Sequence, residues 1–184
     1  MKPAFEPHYL KLIGNDWLDD DLIGRYLQLV VTYGNKIGQK CFAFSSHILD
    51  LCHHFGHHKY ILIHGRVLTD NQLVFIPVHV PGHWILYIYD KQSNVLEFYD
   101  SNGGNERRLD EIKKFLSYFL KEYEIVKKDV HFQEDSFNCG IFLCIFAKYR
   151  LLGNNIKEIR NLILKKERYK ILTELTAECL IFSD

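Results

Sequence analysis

The 184-residue sequence carries no surplus of charge, with 23 Lys plus Arg against 23 Asp plus Glu. A broad electrostatic binder of nucleic acid, or a protein held on acidic lipid, needs a cationic excess, so neither class fits the chain as a whole. Proline is scarce, with 4 residues, and no Pro/Ser-rich linker, internal repeat or low-complexity tract breaks the chain, which speaks against two domains on a tether. No apolar run reaches the roughly 18 residues of a membrane span. The opening Met1-Lys2-Pro3-Ala4-Phe5-Glu6-Pro7-His8 lacks the apolar centre of a secretory signal. Cysteine is sparse and odd in number, at five with no Cys-x-x-Cys pair. That excludes a disulfide scaffold and a thiolate zinc site, and points to reduced thiols inside a cell.

What is present is a composition of 47% hydrophobic and 25% charged residues, enough for one well-packed soluble domain. The order reads helices, strands, helices. Asp19-Asp20-Asp21 supplies a cap and first-turn acids for a helix whose Leu22, Ile23, Tyr26, Leu27 and Val30 share a face, with Gly34 as its stop. Cys41 to Phe55 reads as a second helix ending at Gly56. From Ile61, β-branched and aromatic runs alternate with turn residues, giving adjacent strands at Leu73 to Val80, His83 to Tyr89 and Val95 to Tyr99. A helix from Arg107 to about Tyr123, a strand within Glu124 to Phe132, a buried helix from Cys139 to Leu152 closed by Gly153, and a last helix from about Asn155 complete an α+β fold with a small mixed β-sheet flanked by helices.

Chemistry concentrates where the polar loop Gln133-Glu134-Asp135-Ser136-Phe137-Asn138 meets the apolar run from Cys139. Cys139 stands at a helix N-terminus, where unpaired N–H groups and the dipole favour the nucleophilic thiolate. Gly140 lets neighbouring backbone approach the first turn. A thiolate nucleophile needs a base, and the base an orienting group. If the strands on either side of Asp90 to Asn94 form a hairpin, His83 at the start of one and Asp100 at the end of the other become neighbours, and Asp100 fixes the imidazole. Gln133 can add an amide donor to the Cys139 N–H for an oxyanion.

The order His83, Asp100, Gln133, Cys139, with separations of 17 residues from His83 to Asp100 and 6 from Gln133 to Cys139, resembles the ubiquitin-like protease (Ulp/SENP) family of cysteine peptidases. Trp17-Leu18-Asp19-Asp20, His83-Trp84, Phe98-Tyr99-Asp100-Ser101-Asn102-Gly103-Gly104 and Asn138-Cys139-Gly140 carry the likeness. It implies a papain-like or adenain-like cysteine protease fold, with residues 1–14 as an N-terminal arm and 15–184 as one catalytic domain. It also implies cleavage after the Gly-Gly end of a ubiquitin-like modifier, with His83, Asp100, Gln133 and Cys139 catalytic. Trp17 and Trp84 would roof a tunnel for the glycines, with Asp20 and Asn138 near the modifier's tail. SUMO is the first expectation. Ubiquitin or the modifier removed by deneddylases is the alternative, in particular for a microbial or viral effector in a host cell. An acetyltransferase using the same triad with acetyl-CoA is the reading from another class, and a catalytically dead modifier-binding module a third. The resemblance calls for no metal or organic cofactor, no nucleic acid and no membrane, and for a monomer working in the cytoplasm or nucleus. Residue 138 is Asn where most members carry Asp, and residue 19 is Asp where Asn is usual.

The remaining features have plainer readings. Cys41, Cys52, Cys144 and Cys179 lie in apolar helical patterns and read as core thiols. In Cys52-His53-His54-Phe55-Gly56-His57-His58 a helix stop at Gly56 spoils metal spacing. His79, inside a strand, reads as structural rather than as a rival base. Glu106-Arg107-Arg108, Lys113-Lys114 and Lys165-Lys166-Glu167-Arg168 read as exposed helix charges.

Overall fold

In the computed structural model the described residues are 7–55, 64–104, 108–130, 133–154, 156, 159 and 163–182. A 3-10 turn, Pro7–Tyr9, leads into α1 (Leu10–Ile13), and Tyr9 and Leu12 are buried in the main core. The described part of the N-terminal arm is therefore packed against the domain.

Helix α2 (Asp20–Lys36) starts as its sequence dictates. Asp19 Oδ1 accepts from the Leu22 N–H at 2.9 Å, and Leu22, Ile23, Tyr26, Leu27 and Val30 face inward. It does not stop at Gly34. A Cβ there would lie 2.7 Å from Cys41 Sγ and 2.9 Å from Leu151 Cδ1, so this glycine serves close packing rather than termination.

The expected helix from Cys41 is two elements: strand β1 (Cys41–Ala43) and helix α3 (Ile48–Phe55). Asn35 turns the chain here, because its side chain both donates to the Cys41 carbonyl at 3.2 Å and accepts from the Cys41 N–H at 2.9 Å. Tertiary pairing with β2 then overrides the local apolar pattern. A short α4 (Val67–Asp70) precedes β2 (Leu73–Val80), β3 (His83–Asp90) and β4 (Val95–Tyr99), which match expectation to within a residue. Helix α5 (Leu109–Leu116) is shorter than the Arg107–Tyr123 reading, since from Leu116 the backbone turns through bonds from the Phe119 and Leu120 N–H groups to the Leu116 carbonyl. Strand β5 (Glu124–Lys127) is likewise shorter. The buried helix α6 (Cys139–Leu152) and its Gly153 stop, at φ +69°, are as expected. Helix α7 spans Leu164–Ala177. Gly56, His57, His58, Ile61, Glu106, Arg107, Phe132 and Asn155 lie outside the described residues.

The sheet runs β1-β2-β3-β4-β5, with β1/β2 and β4/β5 parallel and the two middle pairs antiparallel. Both of its faces are covered, which explains the near-continuous apolar runs of β2 and β3. Val74, Ile76, Val78, Ile85 and Tyr87 pack with Ile48, Ile112 and Phe115 of α3 and α5. Leu73, Phe75, Trp84, Leu86 and Ile88 pack with α2 and α6. Lying between β3, α2 and α7, α6 is apolar all round. The charges of α7 are not all on its outer side. Glu174 is buried, paired with Lys148 and accepting from the Tyr26 hydroxyl at 2.7 Å. Among the described residues no helix is long and apolar enough to cross a membrane.

Candidate active site

The β3/β4 register, with Leu86 opposite Tyr99, brings the first residue of β3 and the residue after β4 to one end of the sheet. There the His83 imidazole Nε2 lies 2.7 Å from Asp100 Oδ1, and both side chains are buried. Asp100 is fixed in turn by its own turn: Oδ1 accepts from the Asn102 N–H at 2.8 Å and Oδ2 from the Gly104 N–H at 3.2 Å. Burial works to raise the Asp100 pKa, but the bonds from His83 and the turn amides outweigh it and hold the group below the usual carboxylate range.

Helix α6 packs on β3, and Cys139 at its start hydrogen-bonds His83. Burial works to lower the His83 pKa, yet hydrogen bonds with Asp100 and Cys139 push it up to about 9. With Nε2 engaged by Asp100, Nδ1 is the nitrogen left for the thiol. The helix begins at a residue whose side chain does not cap it, leaving its first N–H groups open to a developing oxyanion. Gly140 is required by packing: a Cβ there would lie 2.9 Å from Leu18 Cβ and 3.3 Å from Ile23 Cδ1.

The preceding loop is a closed hydrogen-bond circuit. Gln133 is tied to the Asp100 turn through its N–H to the Ser101 carbonyl at 2.7 Å and its Oε1, which accepts from Ser101 Oγ at 2.9 Å. Its Nε2 donates to the Asp135 carbonyl at 2.6 Å and to Asp135 Oδ1 at 3.1 Å. An oxyanion donor at Gln133 must therefore leave Asp135 to act. Asn138, associated in the sequence with the modifier's tail, is instead buried with its side chain turned inward. Its Nδ2 donates to Asp135 Oδ2 at 2.7 Å and its Oδ1 accepts from Arg168 Nη1 at 2.6 Å.

Arg168 corrects the reading of its charge run as exposed, because it is only 3% accessible. The missed signal is spacing, since Leu164, Arg168, Ile171 and Leu175 share one face of α7.

Trp84 is buried, donates from Nε1 to the Leu18 carbonyl at 2.9 Å, and packs against the His79 ring at 4.8 Å between centroids. Trp17 is 44% exposed and lies over Gly82, where a Cβ would stand 3.3 Å from its Cη2. Both indoles line a cavity of about 260 Å³ that also has Asp20, His47 and His79 on its walls and that His83 and Cys139 do not border. Asp20 Oδ2 pairs with His47 Nε2 at 2.9 Å, and that bond is the main reason its pKa is lowered. The sequence did not single out Leu18, yet it touches both halves of the site, through its carbonyl to Trp84 and its Cβ beside Gly140. His79 is exposed on this wall.

Elsewhere, Cys41, Cys52 and Cys144 are buried as expected, whereas Cys179 is exposed beyond the end of α7. His53 pairs with Glu111 at 3.3 Å. Among the described residues no group of three or more His, Cys, Asp or Glu side chains could hold a metal ion.

Comparison with known proteins places this geometry in context. The family model for the Ulp1 protease family, C-terminal catalytic domain, matches residues 26–180. Sentrin-specific protease 2 of Mus musculus is 27% identical over 151 residues, covering 72% of this chain and 25% of that protein. The chain thus spans about a quarter of the length of the sentrin-specific proteases 2 it matches. In fold it resembles the SUMO protease Ulp1 with its catalytic cysteine oxidised to a sulfonic acid, at a TM-score of 0.76 and 19% identity over 93% of this chain and 83% of that one. It also resembles the C-terminal Ulp1 protease domain in complex with Smt3, the yeast ortholog of SUMO, at a TM-score of 0.70 and 20% identity over 92% and 82%.

Proposed function

The chain belongs to the Ulp1 protease family, and from that premise we propose that it is a cysteine peptidase cleaving after the C-terminal Gly-Gly of a ubiquitin-like modifier, SUMO first among them. The observation that carries the reading is the buried His83–Asp100 pair at 2.7 Å with the Cys139 thiol bonded to the same imidazole. Cys139 Sγ attacks the carbonyl carbon of the modifier's last glycine. The Cys139 N–H and the Gln133 amide, released from Asp135, hold the oxyanion. His83 passes its proton to the leaving amine as the C–N bond breaks, then takes one from the water that hydrolyses the thioester. Every step uses protein groups and water.

Trp17 and Trp84 are the indole pair that would admit the modifier's glycines and reject residues with side chains. Retention of both favours peptidase over acetyl transfer. A nucleophile that must stay reduced suits an intracellular setting, cytoplasm or nucleus, or a host cell for an effector. The test is capture by SUMO, ubiquitin and a deneddylase substrate modifier, each ending in a vinyl sulfone. A covalent adduct at Cys139 with SUMO is expected, an adduct only with another modifier reassigns the substrate, and no adduct with any overturns the reading.

A further inference from the structure

We propose that Arg168 is a positioning residue for this reaction, one that clamps the Trp17 wall of the groove to the loop bearing the nucleophile. The proposal rests on the function above. Arg168 reaches three acceptors on two segments far apart in the chain. Nη1 donates to Asn138 Oδ1 at 2.6 Å, and Nη2 donates to the Lys11 carbonyl at 2.5 Å and the Asp16 carbonyl at 2.6 Å. One side of this fork is thus the residue before Cys139 and the other the residue before Trp17. The Phe137 ring lies 6.0 Å from the guanidinium carbon.

The choice of side chain is informative. Burying a guanidinium is costly, and an apolar residue fills such a space at less expense. All three acceptors are neutral oxygens, so the contact is not a salt bridge. Nε, buried, has no hydrogen-bond partner among the described residues, so the group is not placed for its own satisfaction. What only a planar fork provides is several N–H groups in fixed relative directions, which a lysine cannot copy. The clamp extends further, because Asn138 also binds Asp135, which holds the Gln133 amide. Trp17 is half exposed, so its place over the groove depends on how its backbone is held, and Arg168 holds the carbonyl immediately before it.

A double-mutant cycle tests this, read as the rate of capture by SUMO vinyl sulfone, or by whichever modifier vinyl sulfone captures the wild type. Arg168→Lys should slow capture about 10- to 100-fold, the scale of a reactant misplaced by an ångström or so. Trp17→Ala should slow it at least as much. If Arg168 acts through Trp17, the double variant falls within about two-fold of Trp17→Ala alone, because coupled residues are not additive. Losses that multiply, or an Arg168→Lys variant as fast as wild type, overturn the proposal. Should Arg168→Lys not fold, Arg168→Gln, which keeps an amide donor but not the fork, takes its place in the cycle with the same two outcomes. A wild type captured by no modifier refutes the function above instead, and the premise of this proposal with it.

Discussion

His83 Nε2 and Asp100 Oδ1 stand 2.7 Å apart with both side chains buried, and that bond orients the imidazole and, together with the Cys139 contact, keeps it charged. Because the His83 pKa is pushed up to about 9, the imidazolium prevails at neutral pH. Activity should therefore decline on the alkaline side as His83 loses its proton near pH 9. Asp100→Asn should move that limb toward neutrality and lower kcat by about 10²- to 10⁴-fold. A pH–rate profile of wild type and variant checks both.

The same shift has a consequence for stability. A histidine raised from 6.5 to about 9 stabilises the fold fully below its ordinary value, and that contribution is lost as pH rises through about 9. Urea unfolding of wild type and His83→Gln should show the widest gap near pH 6 and a narrowing one toward pH 9.5. A gap that widens with pH would contradict the assignment.

Two glycines should respond in opposite directions to alanine. At Gly140 the new Cβ would meet Leu18 Cβ at 2.9 Å and Ile23 Cδ1 at 3.3 Å, so Gly140→Ala should cost about 1–3 kcal/mol and, by displacing Leu18, depress turnover. At Gly24, exposed within α2, a Cβ meets nothing within 4 Å. Gly24→Ala should gain about 0.5–1 kcal/mol with turnover unchanged. Thermal unfolding midpoints and kcat/KM on one modifier substrate separate the two effects.

The pattern of what could be read from sequence follows the range of the forces involved. The β2-β3-β4 meander was legible because turn residues and β-branched or aromatic runs are local signals, and the hairpin they imply brings His83 beside Asp100. Helix α6 was legible from an unbroken apolar run ended by Gly153. Strand β1 was not, because Cys41 pairs with Leu73, far along the chain, and three residues hold no period. Gly34 looked like a stop because its contacts, Cys41 and Leu151, come from elsewhere in the fold. Arg168 was hidden inside a run of charges whose composition says surface, although its helical spacing from Ile171 and Leu175 says core. The partner of the Gln133 amide could not be foreseen either, since a loop's hydrogen-bond circuit has no sequence period.

The four thiols other than Cys139 should separate by access. Burial pushes Cys41 up to about 11 and also raises Cys52 and Cys144, so these three should resist alkylation until the protein opens. Cys179 is exposed and should be labelled in the native state. A short N-ethylmaleimide pulse with peptide mapping, with and without urea, checks the order. Cys179→Ser should remove the label from its own peptide at no cost in peptidase activity, because Cys179 lies beyond α7.

Asn138, the residue before Cys139, is held by two neighbours. Its Nδ2 donates to Asp135 Oδ2 at 2.7 Å while its Oδ1 accepts from Arg168 at 2.6 Å. Asn138→Asp keeps the acceptor for Arg168 but turns the donor into a second carboxylate facing the first. Two such groups cannot both ionise freely, so one acquires a raised pKa, and the deficit it causes is present above that value and fades as pH falls. The Arg168 charge offsets part of the repulsion. The net loss should be about 1–3 kcal/mol at pH 8, the scale of a buried polar bond lost, and smaller at pH 5. Adding Asp135→Asn should restore stability. The new amide at position 135 can donate to the carboxylate introduced at position 138, while its oxygen still accepts from the Phe137 N–H and the backbone N–H of residue 138, which Asp135 Oδ1 serves in the wild type at 2.9 and 2.8 Å. Urea unfolding of the single and double variants at the two pH values decides it. A single variant more stable than wild type at pH 8 would mean that the attraction to Arg168 outweighs the Asp135 repulsion, and that the circuit is held mainly from the α7 side.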